Sequence, residues 1–155
     1  MQTISLKDPR LDFAEGKEYL LDPITIGKEE IIEFAEEFDP AFFHIDEEAA
    51  KASLLGELIA SGFHTCAITM KMICKSYLLR STSQGAPEVE EINWHSPVKP
   101  GDTLQGKSVV LEGRQSTSRP NLWITKLGHE LKNQDGKTVI TMRVVGLFAI
   151  PEDMS

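Results

Sequence analysis

The first half of the chain shows helical spacing of its apolar residues, and the second half shows the spacing typical of strands. In the stretch GKEEIIEFAEEFDP, residues 27–40, glutamates occupy the positions between the apolar side chains. Those apolar positions recur three or four residues apart, at Ile31, Phe34, Ala35 and Phe38. This pattern predicts an amphipathic helix on the surface. Because Asp39 precedes a proline, which disfavours the α conformation, the helix is predicted to end there.

Two further helices are predicted before the middle of the chain. Asp46 is suited to cap a short helix through EEAAKA. The segment 58–80 is apolar on almost all sides, with two lysines as its only full charges before Arg80. Such a helix is normally enclosed by protein, so we expect a long buried helix here.

The remainder of the chain carries apolar and β-branched runs separated by turn residues. These runs lie near 89–98, 103–112, 121–132 and 138–149, after the loop STSQGAPEVE. Their joints, VKPGD, STSRPN and NQDGK, contain the glycine, proline, asparagine and aspartate that turns require. Antiparallel hairpins are the simplest connection. A short additional strand is expected near KEYLL, residues 17–21.

Together these elements predict an α+β fold in which an antiparallel sheet of about five strands curves around one long helix. The 155 residues suit a single domain, 1–155, without a linker or an internal repeat. One helix cannot cover both faces and edges of such a sheet. We therefore expect copies of the chain to associate through sheet edges as a homodimer or higher homo-oligomer.

Composition and charge narrow the possible partners. A formal net charge of −8 opposes binding to nucleic acid or to an anionic membrane surface. Charges interrupt every apolar run before the roughly 18 residues needed to span a bilayer. The start, MQTISLKDPR, lacks the features of a secretory signal, so a cytoplasmic location is expected. Cys66 and Cys74 lie on one predicted helix about 12 Å apart and are expected to remain reduced.

The candidate chemistry lies in the segment EFDPAFFHID, residues 37–46, where an aspartate and a histidine stand five positions apart across a helix break. Taken alone, Asp39 would be an ordinary helix-stop residue and His44 a packed or surface histidine. The acidic residues after His44 suit a helix cap and a solvated helix face, so no metal site is expected. His95 and His129 fall in predicted strands and are interpreted as structural, and His64 as partly buried beside the site.

Several longer stretches together resemble the MaoC-type dehydratases, the (R)-specific enoyl-CoA hydratase group with the hot-dog fold. These stretches are FAEEFDPAFFHIDEEAA, LIASGFHT, WHSPVKPGDTL and ELKNQDGKTVITM. They occur in the family's order between about residues 24 and 149. The family has a catalytic aspartate five residues before a catalytic histidine, which places these roles on Asp39 and His44. The resemblance also implies that the backbone N–H of Gly62 forms an oxyanion hole.

The same comparison suggests substrate contacts and shows two departures. Phe43, Ser61 and Phe63 are candidate substrate-binding residues. Within the catalytic loop, Ala41 stands where the family has an asparagine or glutamine, and Phe42 where it usually has a proline. These changes remove a hydrogen-bonding amide and a rigid backbone element. The turn at 97–102 matches a structural turn of the family.

The resemblance implies a hydro-lyase of fatty acid metabolism that reversibly adds water to a 2-enoyl-CoA. This reaction requires a base, an acid and hydrogen-bond donors for the thioester oxygen. It requires no cofactor, because coenzyme A is part of the acyl-CoA substrate. Two alternatives remain at this point. One is a hot-dog acyl-CoA thioesterase; the branch with a helix carboxylate is disfavoured because residues 58–87 contain no Asp or Glu. The other is a non-catalytic acyl-CoA binding subunit.

Overall fold

One five-stranded antiparallel sheet, packed around one long helix, forms the framework of the computed structural model, which describes residues 5–152. The ends of the predicted domain, residues 1–4 and 153–155, lie outside the described residues. The helices are α1 Pro9–Asp12, α2 Lys28–Phe38, α3 Phe42–Ile45, α4 Glu47–Ala50 and α5 Gly62–Ser76, followed by a 3₁₀ turn Leu78–Arg80. The strands are β1 Glu18–Thr25, β2 Ser83–Trp94, β3 Thr103–Gln115, β4 Leu122–Lys132 and β5 Thr138–Ala149.

The sheet order is β1-β3-β4-β5-β2, and every neighbouring pair is antiparallel. Strands β3, β4 and β5 follow one another as hairpins, as the turn residues between them predicted. The hairpin predicted at VKPGD is wrong, because β2 pairs with β5 and β3 pairs with β1. The segment between β2 and β3 therefore crosses to the far side of the sheet. Its turn residues are suited equally to a crossover and to a hairpin, which explains the error.

The crossover is held by a buried carboxylate. Asp102 accepts hydrogen bonds from the backbone N–H of Lys99 at 2.9 Å and from the side-chain amide of Gln134 at 2.9 Å. Just before it, the carbonyl of Val98 accepts a hydrogen bond from the N–H of Ala60 at 2.8 Å. This bond fixes the chain immediately before α5, so the structural role predicted for the turn at 97–102 agrees with its contacts.

Helix α5 packs its apolar side against the inner face of the sheet. Its buried residues are His64, Thr65, Ile68, Thr69, Met72 and Ile73. The helix is shorter than the predicted segment 58–80, because the Ser61 side chain caps its first turn and Tyr77 ends it before the 3₁₀ turn. It is also less enclosed than predicted, since Phe63 is 68% exposed and Met70 is 46% exposed.

Other predicted elements agree with the structure in position, with small differences in extent. Helix α2 ends at Phe38 with Asp39 as its C-cap, and Asp46 caps α4 by accepting a hydrogen bond from the N–H of Ala49 at 3.0 Å. Phe38 was predicted on the buried face of α2 but is 65% exposed. Strand β2 begins at Ser83, within the predicted loop 81–90.

Within the described residues, no helix is both long and apolar enough to cross a membrane. Cys66 and Cys74 are free thiols on α5, each partly buried. Burial raises the pKa of the Cys66 thiol. The free state of both thiols agrees with the prediction that the two cysteines do not pair with each other.

Candidate active site

Asp39 is directed away from α2 by the end of that helix. Its backbone has left the helical conformation, with φ −153° and ψ 71°, and its N–H still donates to the carbonyl of Ala35 at 2.8 Å. Pro40 prevents the helix from continuing, because the residue before a proline avoids the α conformation. The Asp39 carboxylate therefore lies just beyond the end of α2, next to the segment that carries His44.

His44 lies in the short helix α3 with its side chain only 7% exposed. Its ring Nδ1 is 2.7 Å from the carbonyl oxygen of Ile59. Because a carbonyl oxygen can only accept, Nδ1 must carry a proton and donate this bond. The other nitrogen, Nε2, therefore carries a lone pair whenever the imidazole is neutral. The bond thus fixes which nitrogen of a neutral His44 is available to accept a proton.

The two predicted catalytic side chains are brought together. Asp39 Oδ2 lies 3.4 Å from His44 Nε2. A carboxylate and an unprotonated Nε2 are both acceptors, so attraction between them requires a shared proton or a donor, such as a water molecule, between them. Ser61 donates its hydroxyl to Asp39 Oδ2 at 2.6 Å and so orients that oxygen. The arrangement is suited to hold and deprotonate a water molecule.

Gly62 is the first residue of α5, where the helix offers no acceptor for a backbone N–H. The aligned peptide dipoles make this end of the helix partly positive, which favours a developing anion. The indole Nε1 of Trp94, at the end of β2, donates to the Gly62 carbonyl at 2.9 Å. This contact requires a glycine, because a Cβ at this position would lie 2.8 Å from Trp94 Nε1.

His44 and Gly62 line one cavity of about 260 Å³ that is open to solvent. Its other lining residues include Leu55, Ile59, Thr65, Trp94, His95 and Val98. The cavity thus lies between the fixed base on α3 and the N-terminal end of α5. It brings a histidine and a helix N-terminus to one opening, while Asp39 does not line the cavity itself and contacts His44.

Comparison with known proteins identifies the family. The family model described as "MaoC like domain" matches residues 12–132, which include the whole of this site. The chain belongs to the MaoC-like domain family. The hot-dog fold predicted from the resemblance is thereby confirmed, since the solved structures of this family that match the chain share the same sheet and central helix.

Three proteins illustrate the range of similarity to this chain. A MaoC-like dehydratase from Rhodospirillum rubrum is 38% identical, with a TM-score of 0.79 over 90% of this chain and 96% of that chain. The unliganded R-hydratase PhaJ1 from Pseudomonas aeruginosa is 22% identical, with a TM-score of 0.67 over 89% of this chain and 83% of that one. Protein YdeM of Bacillus subtilis is 31% identical over 93 residues, which are 60% of this chain and 66% of YdeM.

The remaining predicted site residues lie around the MaoC-like site in different environments. Ser61 is fully buried; its hydroxyl donates to Asp39 and accepts a 3.3 Å bond from the N–H of Phe63. Phe43 packs against the core and meets the His44 ring edge-on at 4.4 Å. Phe63 is largely exposed and its ring lies 6.0 Å from that of Trp94. Their predicted role in binding substrate stays a prediction.

The two departures from the family pattern leave the loop ordered by its own backbone. Ala41 is extended, with φ −66° and ψ 141°, and its carbonyl accepts from the N–H of His44 at 2.9 Å. The carbonyl of Phe42 accepts from the N–H of Asp46 at 3.0 Å. These two bonds close the turn of α3 without an amide side chain at position 41 or a proline at position 42.

The sequence did not indicate that Trp94 and His95 line the cavity, and it placed His95 within a strand. Trp94 was included only in a predicted strand, and nothing local indicated that its indole would reach Gly62. His95 was predicted to lie within a strand, but it follows the end of β2 and is exposed. Its Nε2 is 2.8 Å from the hydroxyl of Thr141, and it lines the cavity. The proximity of both residues to the helix results from a crossover that sequence spacing does not show.

His64 is more buried than predicted and lies outside the proton-handling pair. Its ring stacks on Phe34 with 4.5 Å between the ring centres. Burial lowers the pKa of His64, which keeps the ring neutral. We interpret it as a packing residue that joins α2 to α5.

The contact between Gly62 and Trp94 gives a test of the site's packing. In Gly62→Ala, the added methyl group displaces the indole of Trp94. Such overpacking lowers the free energy of unfolding by about 1–3 kcal/mol. The smaller conformational freedom of alanine in the unfolded chain commonly raises it by about 0.4–1 kcal/mol, which offsets part of this loss. We therefore expect the free energy of unfolding to fall by roughly 1 kcal/mol, as measured by chemical denaturation. In a Trp94→Leu background, the same substitution should be neutral or stabilising. An equal cost in both backgrounds would contradict the close contact.

Proposed function

We propose that this protein is a hydro-lyase that reversibly adds water to a 2-enoyl-CoA thioester and forms the (R)-3-hydroxyacyl-CoA. The observation that carries the proposal is the 3.4 Å pairing of Asp39 with His44 Nε2, in which His44 lines the same cavity as Gly62 at the start of α5. Membership of the MaoC-like family and similarity to a MaoC-like dehydratase support a hydratase or dehydratase role. The (R) configuration is inferred from the R-hydratase with the same fold.

In this proposal the water molecule is held by Asp39 and by the lone pair of His44 Nε2. As the water oxygen forms its bond to C3 of the substrate, its proton passes to the Asp39–His44 pair. The electrons of the C2–C3 double bond move toward the thioester carbonyl and generate an enolate. C2 then takes a proton from the same pair, so that the two residues end the cycle in their starting protonation states.

The enolate oxygen receives a hydrogen bond from the N–H of Gly62 and the favourable potential of the α5 N-terminus. Removing one such donor typically costs about 3 kcal/mol of transition-state stabilisation. The donor is a backbone group that no side-chain substitution removes. Its direction depends on the start of α5, which Ser61 caps and which the Trp94 indole holds through the Gly62 carbonyl.

The decisive assay follows the loss of the conjugated double bond of crotonyl-CoA and of longer 2-enoyl-CoAs. We expect Asp39→Asn and His44→Gln to lower kcat/KM by about 10²–10⁴-fold, the usual contribution of general acid–base catalysis. The matched control is Asp46→Asn, a change of the same kind within the same loop. Asp46 caps α4 and asparagine is an equally good cap, so activity and stability should be retained.

Four outcomes would contradict the proposal. The first is the absence of hydration at every chain length, and the second is full activity in Asp39→Asn. Release of free thiol from saturated acyl-CoAs would identify a thioesterase instead. Stabilisation by acyl-CoA without turnover would identify a binding subunit.

We also propose that the protein functions as a homodimer formed along β2. This strand is an edge of the sheet, with 12 residues and an almost entirely exposed surface. Two of its three glutamates form ion pairs within the chain: Glu90 pairs with Lys126 and Arg143, and Glu91 pairs with Arg143. The opposite edge, β1, is shorter, with eight residues, while both edge strands contain a proline and shift in register. An exposed apolar residue, Val89, adds surface that a second copy would cover.

Sedimentation equilibrium tests this association. We expect a particle with twice the 17.3 kDa mass of one chain, and a smaller particle when Val89→Asp introduces a charge at the edge. An exposed charge exchange elsewhere, Glu33→Lys on α2, serves as the control and should leave the dimer intact. A monomer at all protein concentrations would contradict the proposal.

A further inference from the structure

A second cavity, of about 180 Å³, lies between α5 and the inner face of the sheet. Helix α5 contributes Cys66 and Ile73, and the sheet contributes Leu127, Val144 and Phe148 among mainly apolar residues. Cys66 lies about 6 Å along the helix from Gly62 at a rise of 1.5 Å per residue. The cavity therefore begins one helical turn from the candidate active site.

His129 provides a polar, titratable group in this mainly apolar cavity. It lies on β4 with the same alternation as Leu127 and Leu131, which places its side chain on the face toward α5. The residue is only 5% exposed. Its Nδ1 is 2.7 Å from the hydroxyl of Ser108, which is fully buried on the neighbouring strand. Within the described part of the chain, Nε2 has no hydrogen-bond partner.

A ligand group that bonds to this nitrogen would gain a hydrogen bond in a cavity whose lining is mainly apolar. Burial also lowers the pKa of His129 to about 4, so the ring is neutral at physiological pH. A neutral imidazole offers either an N–H or a lone pair at Nε2, depending on how Ser108 bonds to Nδ1. Either form matches an uncharged oxygen function, such as a ketone or a hydroxyl. A carboxylate is disfavoured, since burying a charge among apolar groups is costly.

We infer that His129 is a specificity-determining residue that binds an uncharged oxygen function on the distal part of the acyl chain. The inference rests on the proposed function, because it assumes that the thioester lies at Gly62 and the chain extends along α5. The other polar side chain of the cavity on α5, Thr69, donates its hydroxyl to the carbonyl of Thr65 at 2.7 Å. The other hydroxyl of the lining, that of Ser83, accepts a bond from the N–H of Gly85 at 3.4 Å, and we assign the selection of the chain to His129 Nε2. Sites built to hydrogen-bond a substrate group discriminate against analogues that lack it.

The test compares matched pairs of medium-length 2-enoyl-CoAs that differ only in a keto group near the distal end. For the unmodified protein we expect kcat/KM to be roughly tenfold higher for the keto chain, expressed mainly through KM. In His129→Met the ratio of the two kcat/KM values should fall to about one. In His129→Gln, which retains a hydrogen-bonding amide, the preference should persist.

A merely structural role for His129 would lower kcat/KM for both chains together and leave their ratio unchanged, which would overturn the inference. Equal rates for the two chains in the unmodified protein would overturn it as well, while leaving the proposed hydration intact.

If no chain is hydrated, the proposed function fails, and the inference is then tested by the thermal stabilisation of the protein by the corresponding saturated acyl-CoAs. Greater stabilisation by the keto chain, lost in His129→Met, would support the inference; equal stabilisation would overturn it.

Discussion

The hydrogen bond from His44 Nδ1 to the Ile59 carbonyl is the interaction on which the candidate site depends. It fixes the proton on one nitrogen and leaves the other nitrogen facing Asp39. It also ties the loop after α2 to the segment before α5, where the N–H of Ile59 donates in return to the carbonyl of Phe43 at 3.1 Å. One pair of contacts thus sets the tautomer of His44 and the distance between the base and the start of the helix.

The fold supports this arrangement from both sides. The N–H of Ala60 is bound by the carbonyl of Val98 in the crossover, and the next residue, Ser61, joins the helix cap to the carboxylate of Asp39. Trp94, at the end of β2, closes over Gly62 from the sheet. The site is therefore built by three segments: the loop after α2, the start of α5, and the end of β2 with the crossover. Hydrogen bonds that involve the backbone anchor them, whereas surface ion pairs contribute little to stability.

Local chemistry made part of this structure predictable. The proline after Asp39 predicted the end of α2, and Asp46 predicted the next cap, since both effects act over a few residues. The positions of β3, β4 and β5 followed from turn residues at close spacing. The resemblance assigned Asp39, His44 and Gly62, and the structure brings the first two to 3.4 Å of each other. The place of β2 beside β5 was missed because turn residues do not specify a strand's partner. For the same reason, the contact of Trp94 with Gly62 could not be predicted.

The most direct measurement is a crystal structure of Asp39→Asn with a bound (R)-3-hydroxyacyl-CoA. If the account is correct, the thioester oxygen lies about 3 Å from the N–H of Gly62, and the C3 hydroxyl lies within about 3 Å of His44 Nε2 and of the side chain at position 39. A thioester bound away from the start of α5, or a C3 hydroxyl that contacts neither of those side chains, would contradict it.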